Sequence, residues 1–399
     1  MAASSEIVLG LGGTVDFEID WDSSVLEALA LHYEVDVSEL TIDRPILSER
    51  DLLVAVLGFV QRGTGGERFV ASSGIVEAFA ERFRRRVTLG GTGVRAAIAM
   101  DVLGIPSTLH LVSIDDTVRR LLPASSAYVS SARADTLDPH LIIQYPVEAS
   151  VRVGSTTIAA THPNRLIFSN DPPNQTLYLS AELPAALREA RVLLISGFNS
   201  MQDEAELRLR LLELRDALSS LPASATVFYE DSGFHRPELS RHVREALLDR
   251  IDVYSMNEDE LETHLGRSVD LLDPAAVASA LAAIAEIVPA RTLVIHTKYW
   301  SVARGERAEE LAEALRGGVL MASTRYRFGD GFTPEDYAGV ADERRNPAGA
   351  AVAQALTELD PATVCVPAFL LDDPAPTTIG LGDSFVGGFI AALMRGRAV

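Results

Sequence analysis

The chain has 399 residues and a mass of 42.9 kDa, a length that predicts about two domains or one large α/β domain with an appendage. Apolar residues make up 47% of the chain and charged residues 23%, a composition typical of a globular protein and unlike that of a mainly disordered one. The formal net charge is −21, which argues against nucleic acids or anionic membranes as partners.

Cysteine content and hydropathy argue against further classes of protein. Cys365 is the single cysteine, so the chain can form neither an internal disulfide nor a cysteine-based zinc site. The first residues lack the basic region of a signal peptide, and no segment reaches about 18 uncharged apolar residues. We therefore expect a cytoplasmic protein that does not associate with membranes.

The first hundred residues combine strands and helices. An apolar run at 7–9 predicts a buried strand that enters a glycine-rich loop. Helical spacing follows in three segments: 21–33, 49–61 and 73–86. The last of these ends in three arginines, which suit a helix C-terminus. A glycine loop at 90–93 then opens a helix over 94–103, and a strand is expected over 108–112.

The predicted secondary structure changes after residue 117. Short β-like runs separated by turn residues predict an inserted antiparallel sheet, with strands at 141–145, 150–153, 156–160 and 165–168. From residue 191 strands and helices alternate, which predicts a doubly wound, mostly parallel sheet. The expected strands are 192–195, 226–229, 252–255, 292–296 and 363–366. The expected helices are 203–219, 237–248, 258–265, 275–288, 346–358 and 384–394.

The strongest candidate for chemistry is the segment TTIGLGDSFVGG, residues 377–388, in which a glycine loop enters a helix of small residues. Backbone N–H groups of Gly380, Leu381 and Gly382 could converge on one point at the positive end of the helix dipole, where an anion binds. Asp383 could accept a proton from a substrate hydroxyl there. Alternatively, Asp383 only caps the helix.

Gly-x-Gly-Asp before a small-residue helix resembles the ribokinase-like sugar kinases, and the Gly-Leu-Gly-Asp form is similar to the ADP-dependent glucokinase/phosphofructokinase family. The resemblance implies a three-layer α/β sandwich with a central, mostly parallel sheet and a small β-rich lid. It implies that Asp383 is the catalytic base and that the loop forms the anion hole. The implied reaction is transfer of a phosphoryl group from ADP to a hydroxyl of glucose or fructose 6-phosphate.

Other segments follow in the family's order. Asn257-x-x-Glu260 has the spacing of a helix capping box, and the resemblance implies that Glu260 also holds Mg²⁺ while Asn257 contacts the nucleotide. Glu230 matches a second carboxylate near the metal, although Phe228 replaces the family's histidine. His296 and Thr297 resemble a His-Thr segment near the nucleotide, and a lone histidine at a strand end can also be purely structural.

The acceptor side is also represented. The resemblance places Asp16 on a sugar hydroxyl and Gly91 and Thr92 in a second sugar loop, where the family more often has Gln or Asn in place of Thr92. His140 and Arg165 lie in the β-rich block expected to form the lid. Arg95 is an unexpected charge in its helix, and it could either contact a phosphorylated sugar or face solvent.

These matches divide the chain into two expected parts. The large domain comprises mainly 1–15, 48–64, 88–116 and 186–399. The lid comprises mainly 16–47, 65–87 and 117–185.

Two alternatives stay open. An ATP-dependent sugar or nucleoside kinase could share the fold, and a non-catalytic relative could bind a sugar or nucleotide without turning it over. The chain contains no P-loop motif and no Gly-x-Ser-x-Gly, which argues against P-loop enzymes and serine hydrolases. Val15 stands where a dinucleotide-binding fingerprint needs its third glycine, so that class is disfavoured as well.

Overall fold

The computed structural model describes residues 6–373, 377 and 379–396. The β-strands found in this part of the chain are β1 (Ile7–Leu9), β2 (Thr14–Ile19), β3 (Gly66–Phe69), β4 (Arg85–Gly90), β5 (Thr108–Leu111), β6 (Ala127–Ser130), β7 (His140–Tyr145), β8 (Ser150–Val153), β9 (Thr156–Ala159), β10 (Asn164–Ser169), β11 (Val192–Ile195), β12 (Thr226–Glu230), β13 (Val253–Asn257), β14 (Thr292–His296), β15 (Trp300–Gly305) and β16 (Thr363–Pro367).

The α-helices of the same residues are α1 (Ser23–His32), α2 (Glu49–Arg62), α3 (Ser73–Ala80), α4 (Thr92–Val102), α5 (Asp116–Leu121), α6 (Pro172–Thr176), α7 (Leu183–Leu187), α8 (Glu204–Ala217), α9 (Ser240–Leu247), α10 (Glu258–Leu265), α11 (Pro274–Ile287), α12 (Ala312–Phe328), α13 (Pro334–Ala341), α14 (Pro347–Leu359) and α15 (Leu381–Gly396). None of the helices in the described ranges is long and apolar enough to cross a membrane.

The large sheet has the strand order β16-β15-β14-β13-β12-β11-β1-β5-β6 within the described residues. Each neighbouring pair in this order is parallel for the strands β14, β13, β12, β11, β1, β5 and β6. Strands β15 and β16 join antiparallel at one edge. The carboxyl ends of β12, β13 and β14 therefore lie side by side. Glu230, Asn257 and His296 are the last residues of these three strands, so the topology brings three predicted site residues to one edge.

Side chains of the parallel strands alternate between two cores. Leu194 of β11 packs in the core that contains residues of α4, α12 and α15, whereas its neighbours Leu193 and Ile195 pack in the core that contains residues of α8, α11 and α14. Because helices cover both faces, the central strands β1 and β11 are apolar throughout. The result is three layers, and it confirms the predicted α/β fold class.

A second sheet has the order β3-β10-β7-β2-β4, and we call it the small sheet. Val15, Phe17 and Ile19 of β2 are buried in a core shared with α1, α2 and α3. Asp16 and Glu18 lie on the opposite face, since successive strand residues point to opposite sides. The polar face of the small sheet thus faces away from its own hydrophobic core.

The structure differs from the sequence-based expectation in several places, three of which concern how segments are divided between the two sheets. The helix expected over 73–86 ends at Ala80, and Arg85 instead begins β4, where its guanidinium lies 4.3 Å from the centre of the Phe17 ring. Residues 127–130, which fall in the range expected to form the lid, instead form β6, which pairs with β5 in the large sheet. Helix α2, expected in the large domain, packs beside the small sheet through Phe59, whose ring lies 6.3 Å from that of Phe168. Apart from these segments, the division into a large domain and a lid stays a prediction.

Candidate active site

The glycine loop leads directly into α15. Gly380 has a left-handed φ of +65°, and the helix begins at Leu381. A Cβ at Gly380 would lie 2.7 Å from Cδ of Arg95, so both the backbone conformation and the available space favour glycine. The first N–H groups of the helix have no partner within it, and they can bind an anion. Thr378 of the motif lies outside the described residues.

Asp383 is the third residue of α15. It therefore does not occupy the N-cap position, which was the alternative reading of this residue. Its side chain is 25% exposed, and its Oδ2 lies 3.8 Å from Nε of Arg95. A substrate can thus reach the carboxylate, beside the open end of the helix.

Arg95 of α4 is buried, which excludes the solvent-facing alternative. Its Nη2 donates a hydrogen bond of 2.8 Å to Oδ2 of Asp16 and lies 3.6 Å from Oε1 of Glu18. Burial lowers the pKa of Arg95, but the charges of Asp16, Asp383 and Glu18 outweigh that effect and raise it. Arg95 is thus a permanent cation between the small sheet and α15.

Arg325 of α12 supports the glycine loop from another side. Its Nε donates a hydrogen bond of 2.8 Å to the carbonyl oxygen of Ile379, and its Nη1 pairs with Asp330. Burial and the nearby charge of Arg95 lower the pKa of Arg325 to about 10. The loop is therefore flanked by two buried arginines.

His296 and Glu230 form a buried pair at the ends of β14 and β12. The distance from His296 Nε2 to Glu230 Oε1 is 2.8 Å, and the imidazole stacks on Phe385 of α15 at 4.5 Å between ring centres. Burial lowers the pKa of His296, but Glu230, Glu258 and Asp383 together raise it by more, so the net shift is upward. A Cβ at Gly382 would lie 3.2 Å from the imidazole Cε1, which places His296 directly behind the anion loop.

Asn257 and Glu260 form the capping box that their spacing predicts. Asn257 Oδ1 accepts the N–H groups of Asp259 and Glu260, while Glu260 Oε2 accepts the N–H of Asn257 at 2.7 Å. Burial and the neighbouring Glu230 raise the pKa of Glu260 well above its usual value. Burial also raises the pKa of Glu258, and the nearby charge of His296 offsets part of that rise.

These carboxylates fit a divalent cation that takes most of its ligands from phosphate and water. Glu230 Oε2 is buried and accepts no hydrogen bond from any residue that the structure describes. Burial and repulsion from Glu230 both disfavour the charged form of Glu260, and a nearby cation would offset both effects. No group of three His, Cys, Asp or Glu side chains within the described ranges is arranged around a metal, and Mg²⁺ commonly needs only one or two carboxylates.

The predicted sugar residues gather around Asp16. The Oδ1 atom of Asp16 accepts a hydrogen bond of 2.7 Å from the Thr14 hydroxyl. In the small sheet, Asp16 is paired with His140 of β7. Gly91, with φ of +87°, caps α4, and Thr92 is the first residue of that helix. The loop at 90–92 therefore lies next to Asp16, because a Cβ at Gly90 would come within 2.4 Å of its carboxylate.

Two predicted residues lie apart from this cluster. Arg165 lines a cleft of about 900 Å³ between the outer end of the small sheet and Asp259 of α10. The Thr297 hydroxyl donates to the carbonyl oxygen of Trp300 and accepts the N–H groups of Tyr299 and Trp300. Thr297 thus closes the turn between β14 and β15, and its hydroxyl is already committed there.

Sequence reasoning missed Glu18, Glu258 and the loop-supporting role of Arg325. Glu18 accepts a hydrogen bond of 2.7 Å from Thr88 and pairs with Arg86. The position of Glu18, two residues after Asp16 on one strand, was a usable signal once β2 was known. No local pattern marks Arg325.

Sequence comparison decides the family. The profile described as the ADP-specific Phosphofructokinase/Glucokinase conserved region matches residues 5–388. The chain belongs to this family. It is therefore a phosphotransferase that uses ADP and an alcohol acceptor. None of the curated proteins matches the sequence at a significant level.

Solved structures show the same fold across the ADP-dependent kinase family. A hypothetical ADP-dependent phosphofructokinase from Pyrococcus horikoshii OT3 has a TM-score of 0.78 and 17% identity, with 100% of both chains covered. A phosphofructokinase from the same organism, solved with AMP, has a TM-score of 0.77 and 17% identity, with 98% of both chains covered. The last common ancestor of ADP-dependent phosphofructokinases from Methanosarcinales has a TM-score of 0.75 and 13% identity, covering 98% of this chain and 94% of that one.

Proposed function

We propose that this ADP-dependent sugar kinase phosphorylates fructose 6-phosphate, with Mg²⁺ on the nucleotide. The observation that carries the choice of acceptor is Arg165, which lies two strands away from Asp16 on the same polar face of the small sheet, where the phosphate end of a sugar phosphate would reach it. Its half-buried side chain lines the cleft beside the small sheet, and neither Glu67 nor Asp259, the carboxylates that line the same cleft, forms an ion pair with it. A free guanidinium in a partly enclosed cleft suits a phosphate group, whereas glucose carries no charge that would use it.

The proposed chemistry assigns one task to each group. Asp383 takes the proton from the acceptor hydroxyl, and the acceptor oxygen forms a bond to the β-phosphorus of ADP. The bond from that phosphorus to the bridging oxygen breaks, and AMP leaves. The N–H groups of Gly380, Leu381 and Gly382 hold the charge of the transferring group. Asp16, Gly91 and Thr92 orient the sugar.

The nucleotide side follows from the strand ends. His296 and Asn257 lie where the phosphates of ADP would rest, and Glu230 and Glu260 would hold the metal. A Mg²⁺ ion held there would offset the negative charge of the phosphates during transfer. The small sheet, with His140 on its polar face, closes over the sugar as a lid. Closure keeps water from taking the place of the sugar hydroxyl.

A coupled assay crosses ADP and ATP with glucose and fructose 6-phosphate, with Mg²⁺ or with a chelator. We expect turnover with ADP, fructose 6-phosphate and Mg²⁺, and a kcat/KM for glucose at least about 100-fold lower because it lacks the phosphate. Preference for glucose would overturn the proposed acceptor. Turnover with ATP alone would overturn the donor. No turnover in any combination, with ADP still bound, would indicate another acceptor or a non-catalytic relative.

Arg165→Met tests the phosphate contact itself. We expect the KM for fructose 6-phosphate to rise by about tenfold or more, the effect of losing a charge-assisted contact, with the KM for ADP unchanged. Arg152→Met is the matched control. Arg152 lies on the β8–β9 hairpin and pairs with Glu27 at 3.5 Å, outside the cleft. Equal effects of the two substitutions would contradict the assignment.

A further inference from the structure

Arg95 connects three elements on the acceptor side of the site. Nη2 bonds Asp16 of β2 at 2.8 Å, Nε lies 3.8 Å from Oδ2 of Asp383 in α15, and Arg95 itself stands in the first turns of α4. Its aliphatic stem packs against Gly380, whose Cβ position would be 2.7 Å from Cδ. One side chain therefore contacts the expected sugar ligand, the expected base and the anion loop.

The geometry gives this contact a fixed shape. The Arg95 side chain is 4% exposed and the Asp16 side chain 6% exposed, so neither has much freedom to move. A guanidinium is planar and presents its donors in a rigid fork. The guanidinium bonds Asp16 and forms an ion pair with Asp383 at 3.8 Å, so its rigid shape constrains the distance between the two carboxylates more than an ammonium group on a flexible stem would.

Nearby cations do not provide the same connection. Arg325 is occupied by Ile379 and Asp330, and Arg86 pairs with Glu18 from a side chain that is 63% exposed. Among the residues described, Arg95 is the cation within 4 Å of both Asp16 and Asp383.

We propose that Arg95 is a positioning residue that holds Asp383 in register with Asp16, so that the hydroxyl oriented by Asp16 is presented to the base. This inference rests on the proposed function, because it takes Asp16 as a sugar ligand and Asp383 as the base. It also connects the two sheets: Asp16 belongs to the small sheet and Asp383 to a helix of the large one. Seating of the small sheet on α4 then completes the alignment of acceptor and base.

The test is a double-mutant cycle of Arg95→Met and Asp16→Asn, with Arg95→Lys as the conservative variant. We expect Arg95→Met to lower kcat by about 100-fold, the size of effect that misalignment of a reacting pair produces, while the Kd for ADP changes by less than about threefold. Arg95→Lys should recover part of the kcat, since it keeps the charge but loses the fork. The double variant should lose less than the product of the two single losses, because both substitutions break the same link.

A buried arginine can also be needed for folding, so each variant is compared by circular dichroism and thermal unfolding. If Arg95→Met does not fold, Arg95→Lys and the double variant, in which the charges of Arg95 and Asp16 are removed together, provide the same test. Arg304→Met is the matched control, since it breaks a half-buried pair with Asp360 at 2.7 Å near the amino end of β14. It should leave kcat within about twofold, a change too small to reflect a lost catalytic interaction.

Four outcomes would overturn the inference: a folded Arg95→Met with wild-type kcat, strictly multiplicative losses in the cycle, a parallel loss of ADP binding, or a wild-type protein that transfers phosphate to no sugar. The last outcome would also overturn the proposed function, whereas the first three would overturn only the role of Arg95. The two failures can therefore be distinguished.

Discussion

Asp383 stands at the meeting point of the first turn of α15, the buried guanidinium of Arg95 and the open side of the site. We predict that Asp383→Asn lowers kcat by about 10²- to 10⁴-fold, the range that a general base supplies. The amide fills the same space, and the N–H groups of the loop stay in place, so the Kd for ADP should change little. Steady-state kinetics and calorimetric ADP binding measure the two effects separately.

Asp252→Asn is the control for that substitution. Asp252 lies at the amino end of β13, where it pairs with Arg291 at 2.9 Å, and its substitution should leave kcat unchanged. An Asp383→Asn variant with wild-type kcat would show that the carboxylate is not the base. A joint loss of turnover and ADP binding would show that Asp383 acts on the nucleotide instead.

His140 provides a prediction of pH dependence. Its Nε2 lies 3.0 Å from Oδ2 of Asp171; burial lowers the pKa of His140, but Asp171, Asp16 and Glu67 raise it by more. A raised folded-state pKa stabilises the fold fully below the unfolded value of about 6.5. That contribution is lost as the pH rises through the higher folded-state pKa. We therefore expect Asp171→Asn to reduce the free energy of unfolding more at pH 6 than at pH 9, as measured by urea denaturation.

The same substitution in a His140→Asn background is the control. With no imidazole to titrate, the cost of Asp171→Asn should be equal at both pH values. Asp171 also accepts the N–H of Asn174 at the start of α6, and that part of the cost does not depend on pH. A larger loss at pH 9 than at pH 6 in the wild-type background would show that the imidazole is neutral in the folded protein.

For individual residues, the sequence indicates the site residues that belong to motifs. It misses those that reach the site only through contacts between distant parts of the chain. Asp383, Asn257 and Glu260 lie at strand or helix ends with recognisable spacing, and the structure places them where the pattern predicts; their roles stay predictions. Arg325 is 54 residues from its partner Ile379, and nothing near it in the sequence marks a supporting role. Arg95 stands out in the sequence as an odd charge, but its partner Asp16 is 79 residues away.

Among the helices, α15 and α12 approach each other through glycines. A Cβ at Gly388 would lie 2.3 Å from the carbonyl oxygen of Gly317, and one at Gly317 would lie 2.6 Å from the carbonyl oxygen of Gly388. Gly388→Ala should therefore force the helices apart and cost about 1–3 kcal/mol of unfolding free energy. Since α15 carries Asp383, kcat should fall as well. Urea denaturation and steady-state kinetics check the two effects.

Gly396→Ala is the matched control in the same helix. Nothing lies within 4 Å of a Cβ at Gly396, and alanine favours helix more than glycine does, so this change should be neutral or stabilise by up to about 1 kcal/mol. Equal destabilisation by both substitutions would mean that close packing of α12 against α15 is not what Gly388 provides.

The elements that the sequence misses have physical causes. Strand β11 is predicted over 192–195 and observed over the same residues, because helices on both faces require an unbroken apolar run. Strand β4 carries arginines that suit a helix end, yet Arg86 serves the polar face of the small sheet. Helix α12 contains Gly317 and Gly318, which weaken the helical pattern but permit contact with α15.

At the scale of the whole molecule, the small sheet rests on the carboxyl edge of the large sheet at separate points. Besides the bond between Asp16 and Arg95, the ring of Phe69 in β3 lies 4.3 Å from that of His235, in the loop after β12. Glu67 of the same strand lies 3.6 Å from His235 Nε2. Strand β3 is an edge of the small sheet and β2 lies three strands away from it, so contacts at both strands together constrain the tilt of the sheet over the site.

Loss of the Phe69 contact should let water compete with the sugar. We predict that Phe69→Ala raises the ratio of ADP hydrolysis to phosphoryl transfer by about three- to tenfold, the equivalent of one aromatic contact. The reason is that incomplete closure admits water to the anion loop while the base and the nucleotide contacts stay intact. AMP release without sugar, divided by sugar phosphorylation at saturating acceptor, measures that ratio.

Phe69→Leu should give a smaller rise, and Leu359→Ala, at an exposed site at the end of α14, should give none. If both rates fell together at a constant ratio, the contact would serve the stability of the site and not the exclusion of water.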